Sequence, residues 1–154
     1  MSTEPFDLRP IQARLRSEIP KLRSVQGAAD YAAVMALRDF PSPCAYVVLA
    51  KEQGAQHPAG NAVRGQVMPV SQSVEVAFGV VLVVRNYREQ RGDQVADELK
   101  EFVGAVRRTL IGYVPDLPGA RACQFMQGEL LDYDAATALW VESYTTQHSI
   151  RSTP

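Results

Sequence analysis

VEVAFGVVLVVR, residues 74–85, begins as an alternating pattern and ends as a continuous apolar run. Val74, Val76, Phe78 and Val80 fall on one side of an extended chain, with Glu75, Ala77 and Gly79 on the other. From Val80 to Val84 every residue is apolar. Side chains of a strand alternate between faces, so this stretch reads as a strand half-buried at its start and covered on both faces at its end. The wealth of Val and the lack of Pro favour a pleated strand over a helix, because β-branched side chains fit that surface better. It belongs at the middle of a sheet.

Working outward, CAYVVLA at residues 44–50 is a second apolar strand and the natural neighbour of the first. Between them lies KEQGAQHPAGNAVRGQVMPVSQS, residues 51–73, rich in Gly and Pro and far longer than a hairpin turn requires. A loop of that length in a compact domain is usually functional or disordered, so a flexible loop over about 51–73 is expected. After the central strand, RNYREQRGD makes a polar turn in which Asp93 is placed to cap a helix. The Arg91-Gly92-Asp93 triplet reads as that turn rather than as an adhesion motif. Val95, Leu99, Phe102, Val103, Val106 and Leu110 then recur at helical spacing, and Gly112 and Pro115 end the helix.

Upstream, Leu8, Ile11, Leu15 and Ile19 form the apolar stripe of an N-terminal helix that tolerates Pro10 in its first turn and stops at Pro20. Val25 opens a short extended piece, and residues 28–39 have the composition of a weaker helix. The last third reads as a hairpin, with strands near 123–131 and 138–150 joined by a turn at Asp132, Asp134 and Ala135. On the returning strand Trp140, Glu142, Tyr144, Thr146 and His148 share one face, and Leu139, Val141 and Ser143 the other. The expected fold class is α+β: one domain over 1–154, with helices packed on a mixed or antiparallel sheet of about four strands. The long loop joins the first two strands.

With 154 residues, 46% hydrophobic and 21% charged, the composition is that of an ordinary globular chain. Sixteen Lys and Arg against seventeen Asp and Glu leave a net charge of -1, which exerts no global pull on DNA or anionic lipid. The N-terminus lacks a signal-peptide pattern and no apolar run is long enough to span a membrane, so action in a cytoplasm and no membrane partner are expected. Cys44 and Cys123 sit at strand edges, where free thiols pack as small hydrophobes.

Catalytic signatures are missing. The sequence holds no CxxC, HExxH, Gly-rich phosphate loop or GxSxG, and only His57 and His148 as imidazole bases. Asp132 with Asp134, and Asp97 with Glu98, read as turn and helix-surface residues rather than metal ligands. No catalytic, cofactor or metal site is expected, which points to a binding or assembly protein. A small-molecule pocket between helix and sheet near Trp140 and His148 is the other reading of the same residues.

In order along the chain, the N-terminal helix, PSPCAYVVLA at 41–50, the long Gly/Pro/Gln loop, FGVVLVVRN at 78–86, VRRTLIGYVP at 106–115 and GELLDYDAATALWVESYTTQHSI at 128–150 resemble the tail terminator proteins of long-tailed bacteriophages and prophages. Tail-completion and head–tail connector proteins share parts of this pattern. The resemblance implies a virion structural protein that assembles in the host cytoplasm. It would act at the head-proximal end of the tail as a homohexameric ring. Such a ring caps the tail tube, ends its polymerisation and offers a surface to the head–tail connector or head completion protein, with genomic DNA only passing through its lumen. It supplies no catalytic residue. The interface residues we read from the chain itself are Arg64, Val67 and Met68 in the loop, facing tube or neighbour, and Arg85, Arg88 and Arg91 after the central strand, poised for salt bridges to a neighbouring subunit.

Overall fold

The structure is a computed structural model that describes residues 3–56, 63–85, 92–134 and 136–152. Along the chain run α1 (Arg9–Glu18), β1 (Ser24–Gly27), α2 (Ala28–Ala32), a 3-10 turn (Leu37–Asp39), β2 (Cys44–Gly54), β3 (Val70–Arg85), α3 (Gly92–Leu110), β4 (Gln124–Tyr133) and β5 (Thr137–Ser152). The strands form one sheet in the order β1-β2-β3-β5-β4. β1 joins β2 in parallel and the other three pairings are antiparallel, so the α+β fold has a mixed sheet with β3 at its centre.

The alternation in β3 has a physical counterpart on each face. Val74, Val76, Phe78, Val80, Leu82 and Val84 point into the main core, where they meet Ile11 and Leu15 of α1 and Phe102, Val103, Val106 and Leu110 of α3. Val81 and Val83 point the other way into a smaller cluster with Phe40, Cys44, Tyr46 and Leu139. Tyr31, Val34 and Leu37, from the segment holding α2 and the 3-10 turn, close over that cluster. This second cover reaches only the C-terminal half of β3, which is why the sequence turns from alternating to uniformly apolar there.

Three expectations need correction. The sheet has five strands rather than four, because the extended piece at Val25 adds to β2 as β1, with Val25 opposite Ala45. Four residues are too few for a period to register in sequence. The single helix expected over 28–39 is instead a five-residue helix and a separate 3-10 turn. Its residues pack as a cover on Tyr46 and Phe40 rather than along one helical stripe. The loop over 51–73, now between the second and third strands, is shortened from both sides: β2 runs on to Gly54 and β3 starts at Val70. Gly54 pairs with Val74, so cross-strand hydrogen bonds compensate for a polar, Gly-containing sequence.

At its other end β3 leads to α3, which begins at Gly92, one residue ahead of Asp93 and with that side chain outside the described residues. The helix ends before Gly112, whose φ of 85° reverses the chain at no steric cost. The Gly112 amide then donates to the Cys123 carbonyl and the Cys123 amide to the Tyr113 carbonyl, which delivers the chain to β4.

Cys44 and Cys123 are free and fully buried, as expected of core thiols. Burial pushes each thiol up from an ordinary value of 9.0 to about 11. The unfolded chain therefore releases these protons near pH 9 while the folded chain holds them to about pH 11. Stability from this source is intact below pH 9 and declines as the pH climbs to 11. A series of urea melts should show that decline, and a Cys44→Ala/Cys123→Ala chain, although less stable throughout, should show a flatter profile between pH 9 and 11.

Candidate assembly surface

β4 is an edge strand: among the described residues it pairs with β5 alone. An edge carries unpaired N–H and C=O groups, and proteins normally blunt it. Here it carries Phe125, Met126, Leu130, Leu131 and Tyr133, all exposed. Two register shifts explain how one strand presents so much apolar surface. Met126 and Leu131 are the extra residues at the shifts, so Phe125, Gly128 and Leu130 stay opposite Tyr144, Glu142 and Trp140 on the helix side. α3 lies over the centre of the sheet and leaves the helix side of β4 bare. Beside α3 runs a groove of about 370 Å³ lined by Leu99, Lys100, Val103, Gly104 and Arg107 of the helix and Trp140 of β5.

At the floor of this region sits a buried carboxylate. Glu142 is fully buried on the core face of β5. Arg107 donates to it through both arms of its guanidinium, Nε to Oε2 at 2.9 Å and Nη2 to Oε1 at 2.8 Å. Trp140 Nε1 donates to Oε1 at 2.8 Å, and the Tyr144 hydroxyl to Oε2 at 3.2 Å. Each oxygen thus accepts two hydrogen bonds, which is what a carboxylate needs when removed from water. Accepting from Arg107, Glu142 raises that guanidinium's hold on its proton. Burial, reinforced by the carboxylate's charge, pushes the Tyr144 hydroxyl well above its ordinary range. Arg107 also lies over the Phe125 ring, 4.3 Å from its centre, tying the network to β4. Gly128 makes the approach of β4 feasible, since a Cβ there would stand 2.6 Å from Trp140 Cζ2 and 2.7 Å from Glu142 Oε1.

The sequence did not single out this network. The available signal was a charged residue between Trp140 and Tyr144 on the same face of the strand, together with an Arg late in α3. Four donors on one buried carboxylate hold β5, α3 and β4 together, and no substrate position is left on it. His148 is engaged elsewhere: its Nε2 lies 3.1 Å from Glu52 Oε1, which also accepts from the Phe6 amide at 2.7 Å, and its ring meets Phe6 edge-on. Trp140 and His148 are eight residues apart on β5, about 26 Å, so they do not form one pocket. The opposite, open face of the sheet holds a polar trough of about 360 Å³ lined by Lys51, Gln53, Glu75, Arg121 and Gln147.

The loop residues read from sequence lie far from the groove. Arg64, Val67 and Met68 are exposed, Val67 to 70%, and Val63 and Val70 beside them are exposed as well. Arg85 sits at the opposite end of β3, half-buried, where it donates to the Leu37 carbonyl at 2.6 Å and the Thr137 hydroxyl at 3.1 Å. Arg88, Arg91 and His57 fall outside the described residues. Among the described residues no cluster of metal-ligating side chains occurs, and no helix is long and apolar enough to cross a membrane.

An α+β subunit with exposed apolar surface at a sheet edge and on a long hairpin has the construction of an assembly component. The family model described as phage tail terminator protein matches residues 1–154, the whole chain, and the chain belongs to that family. Curated protein sequences give no match. Membership makes this a bacteriophage structural protein with a role in tail completion and with partners among tail and head proteins.

Proposed function

We propose that the chain caps the tail tube, ends its polymerisation and presents a docking surface to the head–tail connector, acting as a homohexameric ring at the head-proximal end of the tail. The observation that carries this reading is the match of the whole chain to the tail terminator family. The structure supports it with two unlike apolar surfaces, the β4 side and the β2–β3 loop, on one subunit. Contacts between unlike surfaces are heterologous, and a heterologous contact that closes on itself makes a ring. Arg64, Val67 and Met68 would face the tube or the neighbouring subunit. Arg85, Arg88 and Arg91 would lie near a subunit boundary, Arg85 keeping its contacts within the chain. The near-zero net charge suits a ring that segregates charge, with one sign lining the path of the genome.

Native mass spectrometry across a range of concentrations, with negative-stain images of tubes polymerised in the presence of the protein, tests the reading. Rings of six and tubes of uniform length bearing terminal density are expected. Tubes that lengthen unchecked with the protein in excess would sink it. An Arg64→Ala/Met68→Ala chain should keep its melting temperature, because both side chains are exposed, and lose capping. Normal capping by that variant would remove the loop from the interface.

A further inference from the structure

Going beyond the ring reading and independently of it, we infer that the outer edge of β4 receives an added strand from another tail or head protein. That strand is an extended segment with apolar residues at alternate positions and Lys or Arg between them. Among the described residues the backbone of residues 124–131 bonds to nothing beyond β5. The free run closes at Tyr133, whose amide donates to Asp132 Oδ1 at 2.8 Å. The opposite edge of the sheet is blunted: β1 has four residues, and its Val25 carbonyl accepts from Arg16 Nη2. β4 contains no Lys, Arg or Pro to keep a visiting strand away. Its register shifts leave residues 127–130 in unbroken register, a run as long as the one that holds β1 on β2.

The two faces of β4 set the sequence of the visitor. Neighbouring strands share faces, so its side chains on the helix side lie beside Phe125, Leu130 and Tyr133, all exposed. Apolar groups cover these rings and methyls, while the Arg107 guanidinium, 4.3 Å from the centre of the Phe125 ring, disfavours a cation there. On the other face β4 presents Gln124, Gln127, Glu129 and Asp132, opposite Thr145, Ser143, Val141 and Leu139. Glu129 and Asp132 are exposed, neither has an ion-pair partner among the described residues, and residues 122–136 hold no Lys or Arg. Basic residues on that face of the visitor supply the missing charge. The other exposed apolar stretch of this chain, residues 63–70, carries one cation and is interrupted by Pro69, so it does not fit the edge. The partners of a tail terminator family member are tail and head proteins, and the visitor is assigned to one of these.

Synthetic peptides test the assignment on the unmodified chain. A peptide alternating Val and Lys over about ten residues should bind at least roughly ten-fold tighter than a Val–Glu peptide, or than one with its Val and Lys in separate blocks. N-methylation of its backbone should abolish binding. Bound peptide should slow amide exchange at alternate residues of 124–131 and not at β1. A Glu129→Lys/Asp132→Lys chain, in which both altered side chains are exposed, should keep its melting temperature and prefer the Val–Glu peptide. Unchanged exchange in β4 at saturating peptide, or equal binding of the blocked and alternating peptides, would overturn the proposal. So would β4 amides that are already slow in the oligomerised free protein and quicken on dilution, since a second copy would then hold the edge.

Discussion

Replacing Arg107 by Ala is expected to destabilise the fold by about 3–5 kcal/mol, the usual cost of orphaning a buried charge. The partners are unequally placed: the Arg107 side chain is 39% exposed and Glu142 is fully buried. Arg107 reaches in from the rim of the groove, and without it the carboxylate keeps only Trp140 and Tyr144 as donors. Glu142→Gln should cost less, because the amide still accepts from the indole and a released Arg107 can turn to water. An Arg107→Met/Glu142→Leu chain should recover part of the loss, since no buried charge remains, although Tyr144 loses its acceptor. Urea unfolding would show the order Arg107→Ala below Glu142→Gln in midpoint, with unchanged slope. A loss under about 1 kcal/mol for Arg107→Ala, typical of an exposed pair, would mean that the network contributes little to stability.

Phe78→Ala should be comparably damaging, at about 3–5 kcal/mol for a large buried ring removed from a packed core. Phe78 is fully buried at the centre of β3, stacked 5.6 Å from Tyr144 and 6.3 Å from Phe6. Its loss opens a cavity and also frees the segment before α1, which is held at Phe6 by that ring, by His148 and by the hydrogen bond that the Phe6 amide donates to the Glu52 carboxylate. Limited proteolysis should accordingly cut the variant before α1 under conditions that leave the parent intact. A variant that melts with the parent and resists cleavage would show that Phe78 does not anchor this segment.

Patterns with many repeats were readable in the sequence. The alternation of β3 separated its two faces, the 3.6-residue stripe of α3 named its buried side, and the strand period put Trp140, Tyr144 and His148 together on one face of β5, which the structure shows to be the core face. Features made by a single long-range contact were not readable. β1 exists because β2 offers it four partners, and the cover between α2 and the 3-10 turn exists because Tyr46 and Phe40 need one. The Glu142 network joins residues 35 positions apart through one bidentate contact. The loop residues could be chosen from sequence because Gly and Pro mark loops. The exposed apolar residues of β4 could not, because their exposure depends on where α3 lies. Leu130 and Leu131 look like core residues in sequence and become surface only when no layer reaches them.

The pairing of β3 with β5 has a mechanical consequence. Sixteen residues of β3, Val70 to Arg85, face sixteen of β5, Ser152 to Thr137, without a register shift. The loop leaves this ribbon at the Val70 end, and the turn from β4 enters it at the Thr137 end. A tension between those points runs along the strands and loads the whole ladder of hydrogen bonds in shear, rather than peeling it one bond at a time from an end. The subunit is therefore stiff in the direction joining its two exposed apolar surfaces, and a pull on one would reach the other before the ribbon yields.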